Sequence, residues 1–161
     1  MKEIKVYQYP YQKDNIELET EIFNSIDLGL EVYPESIDRC HMARWSQPPQ
    51  VIQRFVDWLE ETTDSELESI WGVWYLDGGG IEWHSHASED NIRYSFSYYI
   101  KVPEDSSSLY FSEDPSKDED TILPVEQGIC AVWDNDLPHC VPPSNHEGRC
   151  VLAGNLKWKL Q

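Results

Sequence analysis

From residue 70 to residue 156 the chain repeats one pattern, a short apolar or alternating run followed by a turn. Residues 70–76 read as a buried strand that Gly78, Gly79 and Gly80 interrupt, and residues 81–86 form the next extended piece. The run 93–102 alternates most clearly. Side chains in a strand point to opposite faces in turn, so Tyr94, Phe96, Tyr98 and Ile100 share one face and Ser95, Ser97 and Tyr99 the other. Residues 108–111, 128–133 and 149–156 complete the series, with turns predicted at 134–136 and 142–145. Short strands at this spacing restrict the fold to a β-sandwich or barrel.

One segment breaks the period. Between Pro49 and Glu61 the apolar residues are Val51/Ile52, Phe55/Val56 and Leu59, the spacing of an amphipathic helix, and Pro48 and Pro49 suit its first turn. The rest of the N-terminal third reads as short strands joined by turns, at residues 4–9 and 28–33. A chain of 161 residues fits one domain, with 1–69 as support and 70–161 as core.

Thirty acidic against twelve basic residues give a net charge of −18. That charge opposes nucleic acid and anionic lipid, both polyanions, and solubilises the surface. It tilts any charged substrate toward the cationic. No apolar run approaches the roughly 18 residues of a membrane span, and nothing at the start resembles a signal peptide, so a cytoplasmic protein is expected. Cys40, Cys130, Cys140 and Cys150 form no close pair, and reduced thiols are the default.

The chemistry lies in a few polar residues of the core. His84 and His86 are two apart in an extended piece and can face one ion. His139 follows the turn after residue 133, and Arg149 opens the last strand. Three imidazoles can form one face of a metal's coordination sphere and leave the other open, while an arginine nearby suits a carboxylate. His41 and His146 have no partner at ligand spacing and are expected to be exposed. Trp83, Trp133 and Trp158 are expected to pack the ends of the barrel.

These residues resemble the Fe(II)/2-oxoglutarate-dependent oxygenases, most closely the prolyl-hydroxylase-like branch and small related oxygenases. The likeness spans about residues 74–157: Gly80 to His86, Tyr98-Tyr99-Ile100, Leu109-Tyr110-Phe111, Pro124 to Gly128, Trp133 to Val141, and Arg149 to Asn155. It implies a mainly β double-stranded β-helix, a jelly-roll or cupin-like barrel with one or two flanking helices. It further implies Fe(II) as metal, with His84 and His139 as the two iron-binding histidines, and 2-oxoglutarate as cosubstrate. Arg149 would pair with the far carboxylate of that acid and Tyr99 would donate to it. Ser95, Ser97, Trp133 and Asn155 would line the pocket. The implied reaction is hydroxylation of a small molecule or peptide, with succinate and CO2 as co-products.

The chain departs from the family at one position. His86 stands where these enzymes carry a carboxylate, which leaves the site one negative charge poorer. Glu82, which strict alternation puts on the face of His84, and Glu89 and Asp90 are the other candidates for the third ligand. Two alternatives stay open at this point: a cupin-type dioxygenase without 2-oxoglutarate, and a non-catalytic barrel that binds a basic partner. The substrate and the oligomeric state are not written in the sequence.

Overall fold

The computed structural model describes residues 2–26, 37–86, 91–117 and 120–160. The strands are β1 (Ile4–Gln8), β2 (Ile37–Arg44), β3 (Ser65–His84), β4 (Ile92–Lys101), β5 (Leu109–Phe111), β6 (Thr121–Leu123), β7 (Ile129–Asp134), β8 (His139–Val141) and β9 (Arg149–Trp158). The helices are α1 (Asn15–Ser25) and α2 (Gln50–Thr63). All described strand pairs are antiparallel, and the order across the sheet is β1-β7-β4-β9-β3-β8-β5-β6, with β2 also on β3. This is the curled, mainly β jelly-roll that the sequence implies, with two helices on its flank.

Alternation along each strand sorts the core into two clusters. Val73, Tyr75, Tyr99, Ala131, Trp133, Val141 and Val151 pack inside the curl. Their neighbours Phe96, Tyr98, Ile100, Cys130, Val132, Cys150 and Leu152 face the helices. Both faces of β4, β7 and β9 are therefore covered, as in a sandwich of sheet against sheet and sheet against helix.

Helix α2 forms where its apolar spacing predicts, with Val51, Ile52, Phe55, Val56 and Leu59 buried against the sheet. Asp64 closes it in the left-handed conformation (φ 51°), and Arg93 Nη1 donates to the carbonyls of Thr63 and Asp64 at 3.3 and 2.8 Å. A cation on the last carbonyls of a helix satisfies orphan acceptors and opposes the negative end of its dipole.

Two sequence expectations need correction. The segment after β1 is the helix α1 and not a strand-turn run. Only Leu18 and Ile22 of its apolar residues are buried, while Ile16 and Phe23 are 80% and 59% exposed, so no clear stripe marks it. Its contact is specific all the same. Ile22 fills the space over Gly72, where a Cβ would lie 2.7 Å from Ile22 Cγ1. Residues 28–33, read as a strand, lie outside the described residues.

The second correction concerns the glycine triplet, which bends a strand without ending it. β3 runs for 20 residues, pairing with β9 through Ser65–Tyr75 and with β8 from Ile81 to His84. At the corner Gly78 takes a φ of +81°, and a Cβ on Gly79 would lie 2.4 Å from the carbonyl oxygen of Arg39. Glycine allows both the backbone angle and the close approach. One strand thus belongs to both walls of the curl.

Candidate metal and carboxylate site

The end of β3 pairs with β8 so that His84 faces His139 directly. The register slips by one residue between Ile81 and His84, a β-bulge that turns both side chains to the inside. Bulges re-aim side chains in this way. His86 follows just beyond the strand, where its backbone N–H donates to Asn135 O (2.8 Å) and its carbonyl accepts from Asn135 Nδ2 (3.3 Å). The turn after β7 therefore fixes His86 against the end of β8.

The three imidazoles offer ligand atoms that all lie within 4.8 Å of one another. Nδ1 of His84 is 2.8 Å from Glu82 O, and Nδ1 of His139 is 3.1 Å from Leu137 O. A ring nitrogen bound to a carbonyl is the protonated one, so each ring presents an unprotonated Nε2, the atom a metal takes. Trp133 packs edge-on against His139 at 4.8 Å between ring centres. Among the described residues this is the only cluster of three or more metal-ligating side chains.

Burial favours the neutral imidazole. It holds His84 below the usual histidine range, with the neighbouring His86 adding to the effect, and it pushes His139 down to about 3, with His84 and His86 again adding. The sign for stability follows from linkage. The unfolded chain takes up protons near pH 6.5 and the folded His139 does not, so its contribution is complete above about 6.5 and is lost as pH falls toward the folded value. Thermal melts of chelator-treated protein from pH 7.5 downward are expected to show this loss, with a shallower fall in His139→Leu. An identical slope in the variant would disprove the assignment.

The histidines open into a cavity of about 340 Å³. His84, His86, His139, Ser95, Ser97 and Trp133 line it, together with Met42, Arg44, Trp71, Val73 and Tyr75, which the sequence did not single out. Asn155 is not part of the lining. It is buried behind Ser95, whose hydroxyl donates to Asn155 Oδ1 at 2.9 Å. Glu82 also differs from expectation: the bulge leaves it exposed in a separate outer groove with Trp83. Glu89 and Asp90 lie outside the described residues.

Arg149 sits on the same inner face, at the start of β9, with no solvent exposure. Its guanidinium carbon is 5.2 Å from the ring centres of both Tyr75 and Tyr99, and Nη1 donates to the carbonyl of Ser107. Among the described residues, the buried Nε and Nη2 have no acceptor in good hydrogen-bond geometry. Burying a charged donor without an acceptor is costly, so these nitrogens call for a guest with paired oxygens. Burial also raises the hydroxyls of Tyr75 and Tyr99 above their usual range, against the opposing pull of Arg149, and keeps both as proton donors. Tyr75, which lines the cavity, links Arg149 to it. The donor sets thus fit a metal at the histidines and a carboxylate at Arg149.

Of the other side chains, His146 is exposed as expected, His41 is half-buried, and all four cysteines are buried thiols. Trp83 is half-buried, and Trp158 is exposed and stacks on Arg93 (4.2 Å) without packing an end of the barrel. No described helix is long and apolar enough to cross a membrane.

No family model and no curated protein matches this chain by sequence. Solved structures do. A prolyl-4-hydroxylase from Pseudomonas putida superposes with a TM-score of 0.71 at 14% identity, covering 99% of this chain and 94% of that one. The viral collagen prolyl hydroxylase of Paramecium bursaria Chlorella virus-1, in its 2OG complex, gives 0.72 at 14% identity over 97% and 96%. A prolyl hydroxylase from Trichoplax adhaerens, in complex with a peptide fragment of the hypoxia inducible factor oxygen degradation domain, gives 0.72 at 10% over 96% and 83%. The chain has the fold of these oxygenases along nearly its whole length.

Proposed function

We propose that this chain, a single domain with the fold of the 2-oxoglutarate/Fe(II) oxygenases, is itself an Fe(II)- and 2-oxoglutarate-dependent dioxygenase that hydroxylates a small molecule or peptide. The observation that carries the reading is Arg149. A fully buried guanidinium between two tyrosines, with two nitrogens that have no well-placed acceptor among the described residues, is explained by a carboxylate guest. His84, His86 and His139 would hold the iron, and Arg149, with the Tyr99 hydroxyl beside it, the far carboxylate of 2-oxoglutarate. When bound, the metal supplies the oxygen activation that couples decarboxylation of the 2-oxo acid to oxidation of substrate.

The chain's own part is binding and orientation. The carbonyls of Glu82 and Leu137 set the tautomer and ring direction of two ligands. Ser95 and Ser97 keep the inner face of β4 small and leave volume for the cosubstrate. Val73, Val141, Val151 and Ala153 make the walls apolar and exclude water. The four buried thiols agree with a reducing, cytoplasmic setting.

A second reading, a cupin-type dioxygenase that uses the metal alone, is favoured by the all-histidine donor set and leaves Arg149 without a task. Titrating anaerobic, Fe(II)-loaded protein with 2-oxoglutarate separates the two. The expected result is a visible metal-to-ligand charge-transfer band that saturates with the acid. Bound iron without the band favours the cupin reading, and failure to bind iron removes both.

A further inference from the structure

The chain is strongly acidic, yet among the described residues no carboxylate lines the histidine cavity. The bulge in β3 contributes to this, because it lets Ile81 and His84 both face inward while Glu82 between them stays outside. The one side chain of fixed positive charge in the described lining is Arg44, at the exposed end of β2. Its Nη2 lies 3.8 Å from Sδ of Met42, a buried lining residue two positions earlier, so the guanidinium folds along the strand toward the cavity. Sulfur is a weak acceptor. Among the described residues no carboxylate forms an ion pair with Arg44. Arg44 and Trp71 also border a shallow outer groove with Trp45, Leu67, Glu68 and Ile70, in which the Glu68 carboxylate accepts from the Ser69 hydroxyl.

We propose that Arg44 determines specificity for the primary substrate, and that this substrate is an apolar molecule carrying a carboxylate. The apolar body enters the cavity and the carboxylate pairs with Arg44 at its rim. This rests on the cavity being the oxygenase site. The net charge of −18 does not contradict it. Salt screens exposed charges beyond roughly 10 Å, so the guanidinium at the rim outweighs distant surface acids. A planar guanidinium also matches a carboxylate in bidentate fashion.

The test uses three probes of one chain length, hexanoate, hexanamide and hexylamine. Each is titrated calorimetrically into metal-loaded protein saturated with 2-oxoglutarate, which keeps Arg149 occupied, and into metal-free protein. A charge-assisted contact predicts that hexanoate binds wild type roughly tenfold or more tightly than either competitor. Arg44→Gln is expected to erase that preference and Arg44→Glu to turn it toward hexylamine. Both substitutions lie at an exposed position, and equal melting temperatures check the folds. The proposal is overturned if hexylamine or hexanamide equals hexanoate, if no probe binds, or if Arg44→Gln keeps the preference. The oxygenase reading fails separately, through a missing charge-transfer band with 2-oxoglutarate, and the Arg44 pattern in metal-free protein still decides this inference.

Discussion

Arg149→Met is expected to raise the dissociation constant for 2-oxoglutarate by roughly 30-fold to several thousand-fold while the ligand-free protein melts no lower than wild type. The two halves have one cause. Removing one partner of a buried, hydrogen-bonded charge pair costs about 2–5 kcal/mol of binding. In the ligand-free protein the same guanidinium is a burden, because buried Nε and Nη2 have no well-placed acceptor among the described residues. An unbranched apolar side chain between Tyr75 and Tyr99 removes that burden. Arg149→Lys keeps the charge and loses the planar fork, so it is expected to bind weakly as well. Titration of the charge-transfer band and calorimetric melts measure the two quantities. A melting point several degrees lower with unchanged affinity would show Arg149 to be a structural residue.

The largest loss of stability is expected from Phe55→Ala, about 3–5 kcal/mol. Phe55 is fully buried at the centre of an aromatic cluster, stacked on Tyr98 at 4.9 Å and within 6.0 Å of Tyr9, Trp58 and Phe96. Rigid rings on several sides leave the cavity little room to collapse, which places the cost high in the usual range. For a domain of this size the melting point should fall by roughly 10 °C. Phe23→Ala, on the exposed side of α1, is the matched control and should cost much less. Equal losses from the two would mean that α2 does not anchor the sheet.

The strands were legible because β4, β7 and β9 are covered on both faces, so each residue carries the signature of its side. Ser95, Ser97 and Tyr99 could be assigned to one face by parity alone. Helix α2 was legible because five buried residues fall on one stripe. Helix α1 was not, since it touches the sheet chiefly through Leu18 and Ile22 and exposes Ile16 and Phe23. The outward turn of Glu82 was also hidden. It depends on a slipped register against β8, a non-local fact that parity along one strand does not contain. Tyr75 and Met42 escaped notice for a similar reason: one matters because it stands opposite Arg149 in the pairing with β9, the other because β2 lies along β3. His84, His86, His139 and Arg149 stood out because polar residues at those positions have no packing role to fill.

The long strand β3 gives the site a property of its own. Tyr75, opposite Arg149, and His84, opposite His139, lie on one continuous length of backbone that crosses the glycine corner. The separation between the proposed carboxylate anchor and the proposed metal ligands is therefore a main-chain length, set by peptide geometry and pinned at both ends by hydrogen-bonded neighbours. Arg149 has no exposed surface and so no slack with which to follow a longer or shorter guest. With 2-oxoglutarate as the proposed guest, the fold would work as a fixed gauge for diacids, its calibration lying in the number of residues between two points on one strand.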